Sequence, residues 1–311
     1  MTRRGRVDRA VFPPEQVAAV TAIACELPAS EGVPLSRFSR TELHRLVIER
    51  GVTDASATTI WRWLHDAGLK PWQQRSWIFP RDPDFEAKAT RVLDLYEGRW
   101  EGKLLHPGEF VISADEKTQL QALGRRHPTL APAPGRPMLV EHEYRRGGTL
   151  AYMAALDIGR RGRSSRRPRI FGRCEPKIGI EPFDCLVEQV MGQAPYASAK
   201  RVFWVVDNGC SHAGQRSIDR LEGRYANLVL VHLPVHASWL NQIEIYFSIL
   251  QRKALTPNDL GDLDSLERRI LGFQEHWQAV AEPFEWNFTR RDLAALMEKL
   301  SERQPQLELV A

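Results

Sequence analysis

Cysteine is scarce in this chain. The four residues of that type, Cys25, Cys174, Cys185 and Cys210, show no CxxC pair and no metal-ligand spacing. That excludes a disulfide scaffold and a cysteine zinc site, and it fits reduced, mostly buried thiols in a cytoplasmic protein. Long apolar runs are also missing. No stretch approaches the roughly 18 residues that a membrane span needs. Arg3 and Arg4, followed by Val17 to Cys25, imitate a secretion signal. Asp8, Pro13, Pro14 and Glu15 interrupt that pattern, however, and the run continues into Glu26, so it reads as a helix. Internal repeats are absent, and the only compositionally biased tract is one arginine-rich loop.

What is present describes a folded protein. Hydrophobic residues make up 43 % and charged residues 26 % of 311 positions, enough for a substantial core in one large domain or in a small one joined to a larger. The net charge of +4 hides an uneven distribution. From Lys117 to Arg173 there are 13 Lys/Arg and 3 Asp/Glu, a local +10, so the remainder sums to 4 − 10 = −6. Such a block suits a polyanionic partner, nucleic acid being the commonest, and a solvated basic loop equally well.

The first third reads as helical. Pro13 and Pro14 open a helix that Pro28 stops. Ser39 with Glu42 forms a capping box for a second helix, which presents Leu43, Leu46 and Val47 and ends near Gly51. A turn over 53–56 precedes a third helix, from about Ser56 to Ala67, with Ile60, Trp63 and Leu64 on its apolar face. Three short helices with a tight turn before the third make a helix-turn-helix pattern, in which the N-terminal residues of the third helix meet base edges. Thr58, Thr59 and Arg62 are the candidates, although a plain three-helix bundle has the same periodicity. Residues 70–83 lack a period and read as a linker that places Arg75 and Arg81 near phosphates. A connecting helix follows, from about Pro83 to Tyr96.

The rest alternates strand and helix. Strands are expected at 109–115, 149–157, about 169–173, 201–207 and 228–233. Helices are expected at 179–192, 214–225, 239–254, about 265–281 and 289–301. Three strands in a row and then alternation match the order of a ribonuclease-H-like fold, an α/β mixed sheet covered by helices on both faces. Two of the apolar strands end in an acid: VISAD in Asp115 and VFWVVD in Asp207. An unpaired carboxylate at the end of a buried strand is costly, and ligands of open α/β sheets sit beyond the strand carboxyl ends. A third acid, Glu244, falls near the first turn of a helix, where the macrodipole favours an anion. Three carboxylates suit hard divalent cations, and a pair of such ions serves in-line phosphoryl displacement. By spacing alone, a turn-former or helix cap explains each acid just as well.

The segments ADEKTQLQALGRRHPTL (114–130), HEYRRGGTLAYMAALDI (142–158), VVDNGCSHAG (205–214) and HASWLNQIEIYFSILQRKAL (236–255) together resemble bacterial insertion-sequence transposases of the mariner superfamily, which carry a DDE catalytic core. The likeness runs through nearly all of residues 36–290, with the motifs in the family's order. It implies that Asp115, Asp207 and Glu244 are the catalytic, metal-holding acids, with 36 residues between the last two. It implies Mg²⁺ as cofactor, two ions with Mn²⁺ as a substitute. The implied reaction is phosphodiester hydrolysis at transposon ends, followed by attack of the freed 3′-OH on target DNA. The implied partners are double-stranded DNA and a second copy of the chain, a homodimer on DNA, with no membrane.

Neighbouring residues join the candidate site as auxiliaries. Asn208 and Asn241 orient carboxylates or meet the scissile phosphate, and each serves equally well as a cap. Lys117 approaches a phosphate or is a surface lysine. His212 and His236 flank the acidic motifs, and of the two His236 joins the site set. Arg160, Arg161, Arg163, Arg166, Arg167 and Arg169 crowd one loop without an acid, a composition suited to phosphate contact. The expected organisation is a helix-turn-helix domain over 1–69, a linker and connecting helix over 70–106, the catalytic core over 107–256 and C-terminal helices over 257–311. The family commonly carries two helix-turn-helix units, and only the second is expected here, at 13–68. A non-cleaving DNA-binding relative and another ribonuclease-H-like nuclease are the competing functions.

Overall fold

The structure is a computed structural model that describes residues 12–74, 80–160 and 165–308, with side chains through 302. The chain divides into two compact units, Met1–Ile78 and Phe79–Ala311. In the first, helices α1 (Pro14–Cys25), α2 (Arg40–Glu49) and α3 (Ala57–Asp66) enclose a small core of Val20, Phe38, Leu43, Val47, Ile60 and Leu64. Each such side chain contributes about 1.5–3 kcal/mol by leaving water. The starts are those the residues dictate. Ser39 and Glu42 exchange hydrogen bonds as a capping box, and the Ser56 hydroxyl accepts from the Thr59 amide at 3.3 Å. In the turn before α3, the Thr53 hydroxyl bonds Gln16 on α1 and accepts from the Ala55 amide. The thiols are free as expected, but Cys25 and Cys210 are exposed. Among the described residues no helix is long and apolar enough to cross a membrane.

The second unit begins with α4 (Phe85–Tyr96) and a short hairpin, β1 (Arg99–Trp100) with β2 (Lys103–Leu104). Its frame is a five-stranded sheet: β3 (Glu109–Arg125), β4 (Tyr144–Asp157), β5 (Arg169–Glu175), β6 (Arg201–Val206) and β7 (Leu228–His232). The spatial order is β5-β4-β3-β6-β7, with β3–β4 and β4–β5 antiparallel and β3–β6 and β6–β7 parallel. Alternation along β3 and β6 feeds two cores. Val111, Phe203 and Val205 face one side, packed by α4, by α7 (Ile243–Lys253) and by α8 (Leu263–Val280). Phe110, Ile112, Ala114, Val202 and Trp204 face the other, under α5 (Ile180–Met191) and α6 (Gly214–Arg224). The last helix, α9 (Arg290–Glu308), packs on α4. Helix α4 is thus part of the core, not of a connecting segment.

Strands β3 and β4 and the helix expected at 239–254 depart from the expected bounds. Strand β3 continues ten residues past Asp115 as a half-exposed arm paired with β4, where burial on both faces, and with it the apolar run, has ended. The arm is irregular, with register breaks at Lys117/Leu120 and Gln121/Leu123 and Gln119 at φ +55°. Close packing pins it, since a Cβ on Gly147 would lie 2.4 Å from the Gly261 carbonyl. The helix expected from Trp239 is instead a short 3₁₀ turn, Ser238–Leu240, and α7 starts at Ile243. Glu244 remains in its first turn.

Candidate active site

Strand β3 carries Asp115 to the point where its double burial ends, and the side chain is only 7 % exposed. Its Oδ1 accepts the Glu116 amide at 2.8 Å and its Oδ2 accepts Asn241 Nδ2 at 3.2 Å. Asn241 is fixed in turn. Its Nδ2 also donates to the Ala114 carbonyl at 3.0 Å, and its Oδ1 accepts from the Ser113 hydroxyl. Ser113 Oγ accepts the Ile243 amide at 2.8 Å, so the start of α7 is tied to β3 by a buried polar cluster. Asn241 thus links the Asp115 carboxylate to the backbone of β3 and to Ser113.

Asp207 is the first residue beyond β6. Its Oδ1 accepts the Gly209 amide at 2.7 Å and His212 Nε2 at 2.6 Å, which hold the carboxyl below the usual range. Burial pushes Asp115 up to about 7, and the charges of Asp207, Glu116 and Glu244 push the same way. Glu244 is raised by partial desolvation, a shift that Lys117 opposes and Asp207 reinforces. The three acids therefore occupy one electrostatic cluster, delivered by two parallel strands and one helix start. Lys117 is the cation whose charge acts on Glu244, and its ammonium also lies 6.0 Å from the Phe247 ring.

Among the described residues no three His, Cys, Asp or Glu side chains are grouped closely enough to hold a metal ion as they stand. The donor set nevertheless fits a hard divalent cation. It is all oxygen, and burial together with the neighbouring acids lifts the Asp115 carboxyl to about 7, a penalty that a bound cation would relieve.

Two participants escaped the sequence reading as site residues. Glu116 points to the opposite sheet face, toward Ser211 and His212; burial raises its carboxyl, and its Oε2 is buried without a partner. The signal was the adjacent acid in ADEKT, which a period of two sends to the other face. His212, which the sequence shows only as flanking the second acidic motif, bonds Asp207 directly.

Other candidates lie elsewhere. Asn208 is exposed and donates to the Leu233 carbonyl at 2.8 Å, tying the loops after β6 and β7 together. His236 is exposed in the loop after β7 with φ +62°. Arg160 donates to the Leu105 carbonyl at 3.3 Å. Arg166 is committed to fully buried Asp157 at 2.9 Å and lies over the Phe110 ring at 4.2 Å. Arg167 is exposed, 3.9 Å from Glu282. Arg161 and Arg163 lie outside the described residues, as do Arg75 and Trp77 of the linker. In the first unit, Thr58 and Arg62 are exposed at the start of α3, while Thr59 Oγ1 is 3.0 Å from Ser56 Oγ and 3.4 Å from Arg62 Nη2. Arg40 lies against the faces of Trp61 and Trp72, at 5.3 and 4.7 Å.

The family model of the DDE superfamily endonucleases matches residues 111–267, from β3 into α8, just over half of the chain. The chain belongs to that family. All three acids fall within the matched stretch. Among solved structures, the Mos1 strand transfer complex is similar at 14 % identity and a TM-score of 0.50, over 95 % of this chain and 79 % of that one. The mariner Mos1 paired end complex with Mg is similar at 14 % identity and a TM-score of 0.48, over 97 % and 83 %. No curated protein matches. The endonuclease unit has the ribonuclease-H-like fold, its mixed sheet flanked by helices on both faces.

Proposed function

We propose that this endonuclease is a DNA transposase of the insertion-sequence kind. It hydrolyses phosphodiesters at the ends of its element and transfers the freed 3′-OH into target DNA. The carrying observation is the coupled cluster of Asp115, Asp207 and Glu244 at the carboxyl ends of β3 and β6 and the start of α7. DDE enzymes use divalent metals, and these three side chains would hold Mg²⁺, or Mn²⁺ in its place. When bound, such ions neutralise charge developing on the phosphoryl group.

The chain's own residues do the rest. The Ser113–Asn241 pair fixes the Asp115 carboxylate beside the start of α7. Lys117, whose charge acts on Glu244, would offer the incoming phosphate a cation. The exposed start of α3, with Thr58 and Arg62, suits the major groove of a duplex, and Arg160 and Arg167 suit its backbone. Arg166, held by Asp157, serves the fold. The shared fold with a protein solved as a strand transfer complex accords with this reading, and joining two DNA ends calls for a homodimer on DNA.

The test is Mg²⁺-dependent nicking of a duplex carrying the element's own end, with wild type beside Asp207→Ala. Nicking that disappears in the variant supports the reading. Binding without cleavage in both proteins points instead to a non-cleaving relative. Cleavage that survives the substitution removes Asp207 from the site.

A further inference from the structure

The loop after β6 is built around one oxygen of one carboxylate. Both hydrogen bonds to Asp207, from the Gly209 amide and His212 Nε2, end on Oδ1, and among the described residues none ends on Oδ2. The carboxylate is a third exposed while the imidazole is fully buried, so the pair spans the boundary between the core and the open site.

The imidazole is anchored without help from Asp207. Phe183 of α5 packs on its ring with centroids 4.8 Å apart, and Ser211 Oγ lies 3.0 Å from its Nδ1. The backbone around it is held as well: His232 Nε2 is 2.6 Å from the His212 carbonyl, and Arg220 donates to the Ser211 carbonyl at 2.9 Å. Because these contacts fix the ring first, the ring sets the carboxylate and not the reverse. An ionised carboxylate only accepts, so Nε2 carries the proton of the 2.6 Å bond. The glycine is required by the same geometry. A Cβ at Gly209 would lie 2.9 Å from Asp207 Oδ1 and 3.1 Å from His212 Nε2, which forces the pair apart.

We propose that His212 is a positioning residue that, with the Gly209 amide, holds Asp207 by Oδ1 so that Oδ2 alone is presented to a divalent cation. This rests on the assignment of Asp207 as a metal-holding acid. Partners behind a ligand that fix its orientation are typically worth about 10- to 100-fold in metal affinity.

The experiment is Mn²⁺ binding to the full-length protein, read by the electron paramagnetic resonance of free Mn²⁺, with circular dichroism to verify folding. Wild type, Asp207→Ala, His212→Ala, His212→Gln and Gly209→Ala are compared. The expected result is loss of a site in Asp207→Ala and binding about tenfold weaker or more in His212→Ala and Gly209→Ala. His212→Gln, whose amide reaches the position of Nε2, recovers most of the loss. A folded His212→Ala that binds Mn²⁺ like wild type overturns the proposal while leaving the acids in place. Should His212→Ala fail to fold, Gly209→Ala decides, and wild-type affinity there overturns it. Equal binding by wild type and Asp207→Ala instead removes the metal-site assignment and the proposal with it.

Discussion

Replacing Asp115 by Asn should make the protein more stable near pH 8, although it removes a residue of the proposed active site. The folded carboxyl is lifted from 3.8 to about 7 by burial and by the charges of Asp207, Glu116 and Glu244. It binds its proton more tightly than the unfolded chain does, so the unfolded state carries fewer protons between about pH 4 and 7. Stability therefore falls as pH rises through that window, and the full penalty is present above it. At about 1.4 kcal/mol per unit, a rise of about three units costs about 4 kcal/mol. Asparagine removes the charge and still accepts the Glu116 amide through Oδ1, but it loses the acceptor for Asn241 Nδ2, worth about 1 kcal/mol. The net expectation is a gain of about 2–3 kcal/mol at pH 8 without divalent cations, or a thermal midpoint about 5–10 °C higher for a unit of this size. Thermal unfolding by circular dichroism in EDTA at pH 5 and pH 8 measures it, and the variant's advantage should shrink to less than about 1 kcal/mol at pH 5, where about one unit of the shift still applies. Added Mn²⁺ should stabilise the wild type by mass action and leave the variant unmoved. A variant less stable than wild type at pH 8, with the same dependence on pH, would refute the idea that burial and neighbouring charge penalise the ionised Asp115.

Two arginines of the same loop should behave differently. Arg166→Ala leaves fully buried Asp157 with the Tyr196 hydroxyl and the Gly159 amide as its donors among the described residues, and urea unfolding should report a loss of about 3–5 kcal/mol. Arg167→Ala breaks an exposed contact with Glu282 and should stay within about 0.5 kcal/mol of wild type. Equal stability losses in the two would contradict the distinction. On the first unit, Arg62→Ala should weaken duplex binding, and the slope of log affinity against log salt tells which role is lost. A phosphate contact lowers that slope by about 0.9, a base contact relaxes sequence preference instead, and no change in either removes α3 from the DNA interface.

Much of the fold was legible because burial on both faces leaves a plain mark. RVFWVV has to be an internal strand, and the seven residues from Glu109 to Asp115 are all buried. The mark stops where one face meets water. The arm of β3 and β4 beyond Asp115 could not be seen from apolar runs for that reason, and the two-residue strands β1 and β2 have no period to read. Helix α4 reads as a connector in the sequence because amphipathic spacing tells that a helix has an apolar face and not what covers it. Its Phe85, Ala89, Val92 and Leu93 pack into the core shared with α7 and α8.

The site divides along the same line. An acid ending an apolar strand is conspicuous in the sequence, and Asp115 and Asp207 stand out in that way, although Asp157 ends such a strand too and serves the fold. The groups that tune them do not stand out. His212 is five residues beyond Asp207, a separation that brings the two together only because the loop folds back on Gly209. Ser113 and Asn241 are 128 positions apart and meet only where α7 begins against β3. Arg166 looked like a phosphate ligand among five other arginines, and its buried partner Asp157 became visible only when the turn closed. Charged residues advertise themselves in a sequence, whereas what holds them is decided by tertiary contacts. Substitutions in those supports, at Ser113, Asn241, Gly209 and His212, therefore probe the proposed chemistry in a way that removing the acids does not. They leave every proposed ligand in place and alter only its aim.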